Sequence, residues 1–165
     1  MARAMRVVEA RAERELLVAR SLIEEYVASL PIDLDFQGYR EEIARFPGEY
    51  VPPEGAVLLA YEGDEPVGVV ALRRQAASVC EMKRLYVRPP FRGRGAGQAL
   101  STEIVRHAVR LGYSRMRLDT LPTMDAAIGL YRALGFREIP PYRYNPVPGA
   151  QFMELELPRE KGTNK

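Results

Sequence analysis

The sequence has few of the residues on which metal and redox sites depend. Among its 165 residues there is one cysteine, Cys80, and one histidine, His107. A single cysteine excludes an intramolecular disulfide, and one cysteine with one histidine is too few for a Cys/His zinc site. We therefore expect a metal-free intracellular protein in which Cys80 is a small buried hydrophobe and His107 an exposed or partly exposed helix residue.

Long apolar runs and an excess of one charge are also missing. No apolar stretch approaches the roughly 20 residues that cross a bilayer, and the N-terminus MARAMRVVEARAERELL lacks the apolar core of a signal peptide. We expect a cytoplasmic location. The formal net charge is +2, so the broad basic field typical of nucleic-acid-binding proteins is absent and any cationic site must be local.

The hydrophobic pattern predicts one α/β domain with a mixed sheet, since 165 residues are enough for one core and short for two. The strongest local signal is a hairpin around GDEP, where β-branched runs flank a tight turn. Predicted strands cover 5–10, 55–62, 67–74, 78–87, 114–120 and 150–157. Predicted helices cover 11–29, 38–46, a segment ending near 111, and 124–134.

The stretch RLYVRPPFRGRGAGQAL, residues 84–100, joins a predicted strand to a predicted helix. The first amides of a helix have no intrahelical partner, the helix dipole is positive there, and glycines let an anion approach the backbone. This favours a diphosphate site. The spacing fits neither G-x-x-x-x-G-K-[ST] nor G-x-G-x-x-G. A nucleic-acid-binding RGRG segment is the weaker alternative, because aromatic residues are sparse around it.

The loop does fit the pattern R/Q-x-x-G-x-G/A, and here the chain resembles the GNAT superfamily of acyl-CoA-dependent N-acyltransferases. The segment EMKRLYVRPPFRGRGAGQAL, residues 81–100, is similar to the central acetyl-CoA motif of that family. The segment AIGLYRALGF, residues 127–136, is similar to its A-x-x-L-Y-x-x-x-G-F motif. Two motifs in this order and at this distance make the resemblance specific.

The resemblance implies a fold, a co-substrate and its binding residues. We expect a mostly antiparallel sheet flanked by helices and splayed between strands 4 and 5, in one N-acetyltransferase domain over 1–158 with a flexible tail over 159–165. Acetyl-CoA is the implied co-substrate, and a homodimer is the implied assembly. Its pantetheine arm would pair with the backbone of Leu85, Tyr86 and Val87. Its pyrophosphate would lie on the amides of Arg92, Gly93, Arg94, Gly95, Ala96 and Gly97.

Two residues are implied as catalytic. Tyr131 matches the tyrosine of the family that protonates the leaving sulfur, and its helix position turns the ring inward. The alternative for Tyr131 is a core tyrosine that is hydrogen-bonded at its tip. Glu81 matches a strand glutamate that in parts of the family removes the proton of the amine. The alternative for Glu81 is an ion-pair partner of Arg73 or Arg84.

The sequence gives the least information about the part of the site that binds the acceptor. The loop PPYRYNPVPG, residues 140–149, is either a structured surface loop or a wall of the acceptor site, with Tyr142 and Tyr144 contacting the substrate. Met124 stands where many relatives carry asparagine. The sequence therefore predicts transfer of an acetyl group to a primary amine of a small molecule or peptide in a ternary complex. A non-catalytic acyl-CoA-binding or sensing module is the alternative.

Overall fold

A computed structural model describes residues 4–159 of the chain, apart from the side chain of Gln37. The described residues form seven strands and four α-helices, with short 3-10 helices at Leu34–Gln37 and Pro89–Phe91. The strands are β1 (Met5–Glu9), β2 (Ala56–Glu62), β3 (Glu65–Ala76), β4 (Val79–Val87), β5 (Arg115–Thr120), β6 (Arg137–Ile139) and β7 (Gln151–Glu156). The helices are α1 (Glu13–Ala28), α2 (Tyr39–Arg45), α3 (Ala96–Arg110) and α4 (Asp125–Leu134).

The strands form one sheet in the order β1-β2-β3-β4-β5-β7-β6. Every neighbouring pair is antiparallel except β4 and β5, which are parallel. The predicted mixed, mostly antiparallel sheet is therefore confirmed, as is the hairpin, in which Glu62 pairs with Glu65 across a two-residue turn. The sequence pattern does not locate the three-residue strand β6, because so short a segment shows no alternation of polar and apolar residues.

Both faces of the sheet are covered, so a hydrophobic core lies on each side. On one face α1 places Ala19, Leu22 and Ile23, spaced three and four residues apart, against inward side chains of β2 and β3. On the other face α3 places Leu100, Ile104 and Ala108 against β2, β3 and β4. The buried Cys80 belongs to this second core, as expected. Burial on both faces explains why the sequences of the central strands are nearly continuous runs of apolar residues.

The parallel pair β4–β5 separates after three residues. Val79, Cys80 and Glu81 pair with Arg115, Met116 and Arg117, and no further pairing joins the two strands. Beyond Glu81 the edge of β4 that faces β5 is therefore open. The predicted splay between strands 4 and 5 is confirmed, and it places a gap in the middle of the sheet.

A bulge in β4 lies at the same level. Lys83 pairs with Ala71 and Tyr86 with Val69, so Arg84 and Leu85 together lie opposite Val70. Arg84 has a φ of 61°, which is uncommon for a residue with a Cβ. Its guanidinium donates to both carboxylate oxygens of Glu42 in α2, at 2.9 and 2.7 Å. A bulge re-aims the backbone of its strand, here directly beside the gap.

No helix among residues 4–159 is both long enough and apolar enough to span a membrane. Nor do these residues gather three or more histidine, cysteine, aspartate or glutamate side chains in a way that could hold a metal ion.

Packing around Gly55 gives a test of the fold. A Cβ at this position would lie 2.7 Å from the Leu72 carbonyl oxygen and 2.9 Å from Tyr50 Cα, and closer still to the Glu49 carbonyl. Because backbone atoms cannot move aside cheaply, Gly55→Ala should lower the free energy of unfolding by about 3 kcal/mol in urea denaturation. The control is Gly129→Ala in α4, where nothing lies within 4 Å and helix propensity predicts a gain of up to about 1 kcal/mol. Equal stabilities of the two variants would contradict this account.

Candidate active site

Two adjoining cavities lie along the open edge of β4. The outer cavity, about 670 Å³, lies between the end of β4, the loop that follows it and the start of α4. The inner chamber, about 60 Å³, lies deeper, where β4 and β5 separate below the 3-10 helix at 34–37. The two share Tyr26, Leu30, Leu85, Met124 and Ala127, so a long narrow molecule could extend from one into the other.

The predicted cofactor residues line the outer cavity, with one exception. The lining includes Leu85, Tyr86 and Val87 of β4 and, from the loop, Arg92, Gly93, Gly95, Ala96 and Gly97. Arg94 is the exception, because its guanidinium is directed to Glu62 at 2.8 Å. Arg92 lies over the Tyr86 ring and donates to the Val87 carbonyl at 2.9 Å. Of the two arginines, Arg92 is thus the one at the cavity.

The glycines of the loop shape the start of α3. Gly93 and Gly95 have φ of 80° and 91°, a conformation that side chains disfavour, and Gly95 is the N-cap. The amides of Ala96, Gly97 and Gln98 begin the helix and border the cavity. Unpaired amides and the positive end of a 15-residue helix make this rim suited to a diphosphate.

Tyr131 lines the inner chamber. The side chain projects inward from α4, is 7% exposed and packs against Phe136. The structure shows no hydrogen bond from its hydroxyl to any residue in the described part of the chain. The tip therefore lacks the partner that the alternative of a core tyrosine requires. Burial raises the pKa of Tyr131, so the phenol keeps its proton at neutral pH and can donate it.

Glu81 lies near the gap but is closed off from it. The residue is 0% exposed and lines neither cavity. Arg73 donates to Oε1 at 3.0 Å, while Tyr142 and Arg143 reach Oε2 at 2.7 and 2.6 Å. Burial alone would raise the pKa of Glu81, but Lys83, Arg143 and the Tyr142 hydroxyl outweigh it and lower the pKa. Of the two ion-pair partners considered for Glu81, Arg73 is found and Arg84 bonds Glu42 instead.

The residue of the loop 140–149 that lines the inner chamber is Asn145, which was not among the residues predicted from the sequence. Tyr142 turns inward to Glu81 and packs on Phe152, whereas Tyr144 is 73% exposed. Neither tyrosine lines the outer cavity or the inner chamber. Asn145 lines the chamber and donates to the Asp119 carboxylate at 3.2 Å. No sequence pattern marks Asn145 or Asp119, because their proximity depends on the pairing of β5 with β7.

Met124 fills the junction of the two cavities. Its sulfur lies 3.7 Å from the Tyr26 hydroxyl and 3.7 Å from Thr120 Oγ1. The thioether thus accepts weak hydrogen bonds at the entry to α4, in place of the amide contacts that an asparagine could make there.

The comparisons with known proteins place the chain in a family. Residues 19–136 match the model of the acetyltransferase (GNAT) family, and the chain belongs to that family. An uncharacterised N-acetyltransferase of Schizosaccharomyces pombe is 41% identical over 140 residues, which cover 84% of this chain and 86% of the relative. The homologues and the family together support an acyltransferase enzyme.

Two further proteins are similar to this chain, one in sequence and one in structure. The N-acetylaspartate synthetase of Danio rerio is 31% identical over 117 residues, covering 70% of this chain and 42% of that protein. YncA of Salmonella typhimurium, solved with its cofactor acetyl-CoA, superimposes with a TM-score of 0.68 at 20% identity and covers 96% of each chain. This likeness shows that the two chains share a fold.

The buried Lys83 gives a pH test of the site. Burial is the main cause that lowers the pKa of Lys83 to about 8, with Arg84 adding to it and Glu81 and Asp119 opposing it. In the unfolded chain a lysine has a pKa of ~10.4, so the unfolded state binds this proton more tightly than the folded state. Below pH 8 Lys83 is therefore charged in both states, and burial of its charge destabilises the fold. The penalty should disappear as pH rises from about 8 to about 10.

We therefore expect the free energy of unfolding of the wild type to rise, relative to Lys83→Met, by up to about 3 kcal/mol over that range. Urea denaturation of both proteins at several pH values measures the difference. Parallel stability curves between pH 8 and 10 would show that Lys83 is not a charged buried residue.

Proposed function

We propose that the protein transfers the acetyl group of acetyl-CoA directly to a primary amine of a small molecule or peptide, in a ternary complex without a covalent enzyme intermediate. The observation that carries the proposal is the open edge of β4 beyond Glu81, which continues through the outer cavity to the glycine-rich start of α3. An extended arm with a diphosphate at one end matches that path in both shape and charge.

We propose that the co-substrate is held mainly by backbone groups. Leu85, Tyr86 and Val87 would pair with the pantetheine arm, and the amides from Arg92 to Gly97 would bind the pyrophosphate. Each contact between an exposed helix end and an anion contributes only about 0.3–1 kcal/mol, so affinity depends on several amides that converge on the two phosphates. Arg92 would add charge at the rim, since it borders the cavity.

The chemistry requires a neutral amine and a protonated leaving group. A lysine-like amine has a pKa near ~10.4, so bringing it to its neutral form at pH 7 costs about 4.6 kcal/mol. We propose Tyr131 as the general acid for the sulfur, because its phenol stays protonated and faces the inner chamber. The sequence predicts Glu81 as the base. Its oxygens are bonded to Arg73, Tyr142 and Arg143, so it could reach an amine only through the Tyr142 hydroxyl or a water.

For the acceptor we propose a compact amine that enters beside the loop 140–149. Tyr142 and Tyr144, the wall predicted from the sequence, would contact it outside the two cavities, since neither tyrosine lines them. The small volume of the inner chamber supports a slender group at the point of transfer. The relationship to N-acetylaspartate synthetases makes aspartate and other α-amino acids the first acceptors to test. Polyamines, aminoglycosides and peptide N-termini complete the panel.

Three other expectations stay predictions. These are the cytoplasmic location, the homodimer, and the single domain over 1–158 with its tail over 159–165. Apart from Arg159, that tail lies outside the described residues.

Titration of CoA tests the donor site. The wild type should bind CoA with one-to-one stoichiometry in calorimetry, and Arg92→Ala should weaken binding roughly tenfold, since one charge-assisted contact is worth about 1.4 kcal/mol or more. Arg94→Ala is the matched control and should bind within about twofold of wild type, because Arg94 is directed to Glu62. Absence of CoA binding, or a larger loss for Arg94→Ala, would contradict the proposed site.

Release of free thiol from acetyl-CoA in the presence of the acceptor panel tests the reaction. With the best acceptor, Tyr131→Phe should lower kcat by about 10²–10⁴-fold, the usual worth of a general acid, and leave CoA affinity within twofold. An unchanged kcat would remove Tyr131 from the mechanism. CoA binding by the wild type without thiol release for any amine would instead favour a sensing module.

A further inference from the structure

A second carboxylate, Asp119, faces the inner chamber where Glu81 does not. In the parallel register of β4 and β5, Glu81 lies opposite Arg117, and pairing ends there. Side chains on one face of a sheet recur every two residues, so the next same-face positions are Lys83 and Asp119. Both line the inner chamber, on opposite sides of the gap. Glu81 thus lies where β4 and β5 are still paired, and Asp119 lies beyond the point where their pairing ends.

One oxygen of Asp119 is fixed by the loop 140–149. Asn145 Nδ2 donates to Asp119 Oδ2 at 3.2 Å, and Asn145 Oδ1 accepts from the Val147 amide at 3.0 Å. The second bond fixes which end of the Asn145 amide points at the carboxylate. In the described part of the chain this is the one hydrogen bond that the structure gives the Asp119 carboxylate. Asp119 is half-buried and lines the chamber, so its carboxylate is oriented by Asn145 and still reachable from the chamber.

The charge of Asp119 also acts where transfer would occur. Burial raises the pKa of Tyr26 and of Tyr131, and the Asp119 carboxylate adds to the rise at both. Tyr26 lies at the junction of the two cavities and Tyr131 in the chamber. At Tyr142, after burial, Glu81 is the main cause that raises the pKa, and Asp119 adds to it. Asp119 is thus the carboxylate close to the predicted general acid.

We propose that Asp119, rather than Glu81, contacts the acceptor amine and takes up its proton, with Asn145 as the residue that positions it. The inference rests on the proposed function. The acceptor enters as an ammonium and gives one proton to the Asp119 carboxylate, which passes it to solvent. The neutral nitrogen forms a bond to the thioester carbonyl carbon, the C–S bond breaks with its electron pair on sulfur, and Tyr131 protonates the sulfur. The second nitrogen proton returns through solvent to the Tyr131 phenolate.

Under this proposal Glu81 has a structural role. Its bonds to Arg73 on β3 and to Tyr142 and Arg143 on the loop join the sheet to the chamber wall that carries Asn145. Replacing Glu81 would therefore change stability more than proton transfer, since it removes the buried carboxylate that Arg73, Tyr142 and Arg143 share.

The test uses two acceptors of similar size and different basicity, ethylamine and the less basic 2,2,2-trifluoroethylamine, with wild type, Asp119→Asn and Glu81→Gln. For ethylamine, Asp119→Asn should lower kcat/KM at least 100-fold, while CoA affinity and Tm stay near wild type. For trifluoroethylamine, which is largely neutral at the assay pH, the loss should shrink to less than tenfold. Glu81→Gln should lower Tm and affect both acceptors equally.

Calorimetry gives a readout independent of turnover. Ethylamine titrated into the CoA-saturated protein should bind the wild type and fail to bind Asp119→Asn. Asn145→Ala should lose about tenfold in kcat/KM for ethylamine and should have no further effect in the Asp119→Asn background, as expected of residues that act as a unit.

Each contrary result points to a different error. An equal loss of kcat/KM for both amines in Asp119→Asn would overturn the role of Asp119 and leave the proposed function standing. Wild-type activity of Asp119→Asn would do the same if Glu81→Gln loses more activity with ethylamine than with trifluoroethylamine. CoA binding without acetylation of any amine by the wild type would overturn the proposed function and this inference with it.

Discussion

The bond between Arg84 and Glu42 holds the strand that organises the site. Arg84 has a positive φ, which costs an L-residue roughly 1–2 kcal/mol, and its buried guanidinium needs a partner. The two-point bond to α2 supplies that partner and keeps the bulge in place. The bulge lies beside the point where β4 leaves β5, so the gap and both cavities depend on it. The distant helix α2 thus contributes to the geometry of a site that it does not line.

Much of the fold could be predicted, because its signals are local. The helices α1, α3 and α4 have apolar residues at helical spacing, and Gly112 and Gly135 end α3 and α4 with φ of 91° and 104°. The loop 92–97 could be assigned as an anion site for the same reason, since its arginines and glycines are consecutive. The family resemblance added the splay, which no periodicity shows.

The rest depends on contacts between residues far apart in the chain. Arginine is a poor indicator of positive φ, so the bulge at Arg84 had no sequence signal, and Glu42 lies 42 residues away. Glu81 could be recognised as a motif residue, but its closure by Tyr142 and Arg143, 61 residues or more later, could not. Asp119 meets Asn145 only because β5 pairs with β7. Side-chain partners, unlike strands and helices, are set by the tertiary structure.

The ion cluster around Glu81 has a consequence for how acceptor preference can change. Arg143 and Tyr142 belong to the loop that borders the chamber, whereas Glu81 and Arg73 belong to the sheet. A loop taken from another member of the family and lacking both donors would leave the buried carboxylate of Glu81 with one of these three partners, Arg73. The loop and the strand therefore have to change together. New acceptor preferences should arise more readily by substitutions at Tyr144 and its exposed neighbours than by exchange of the whole loop.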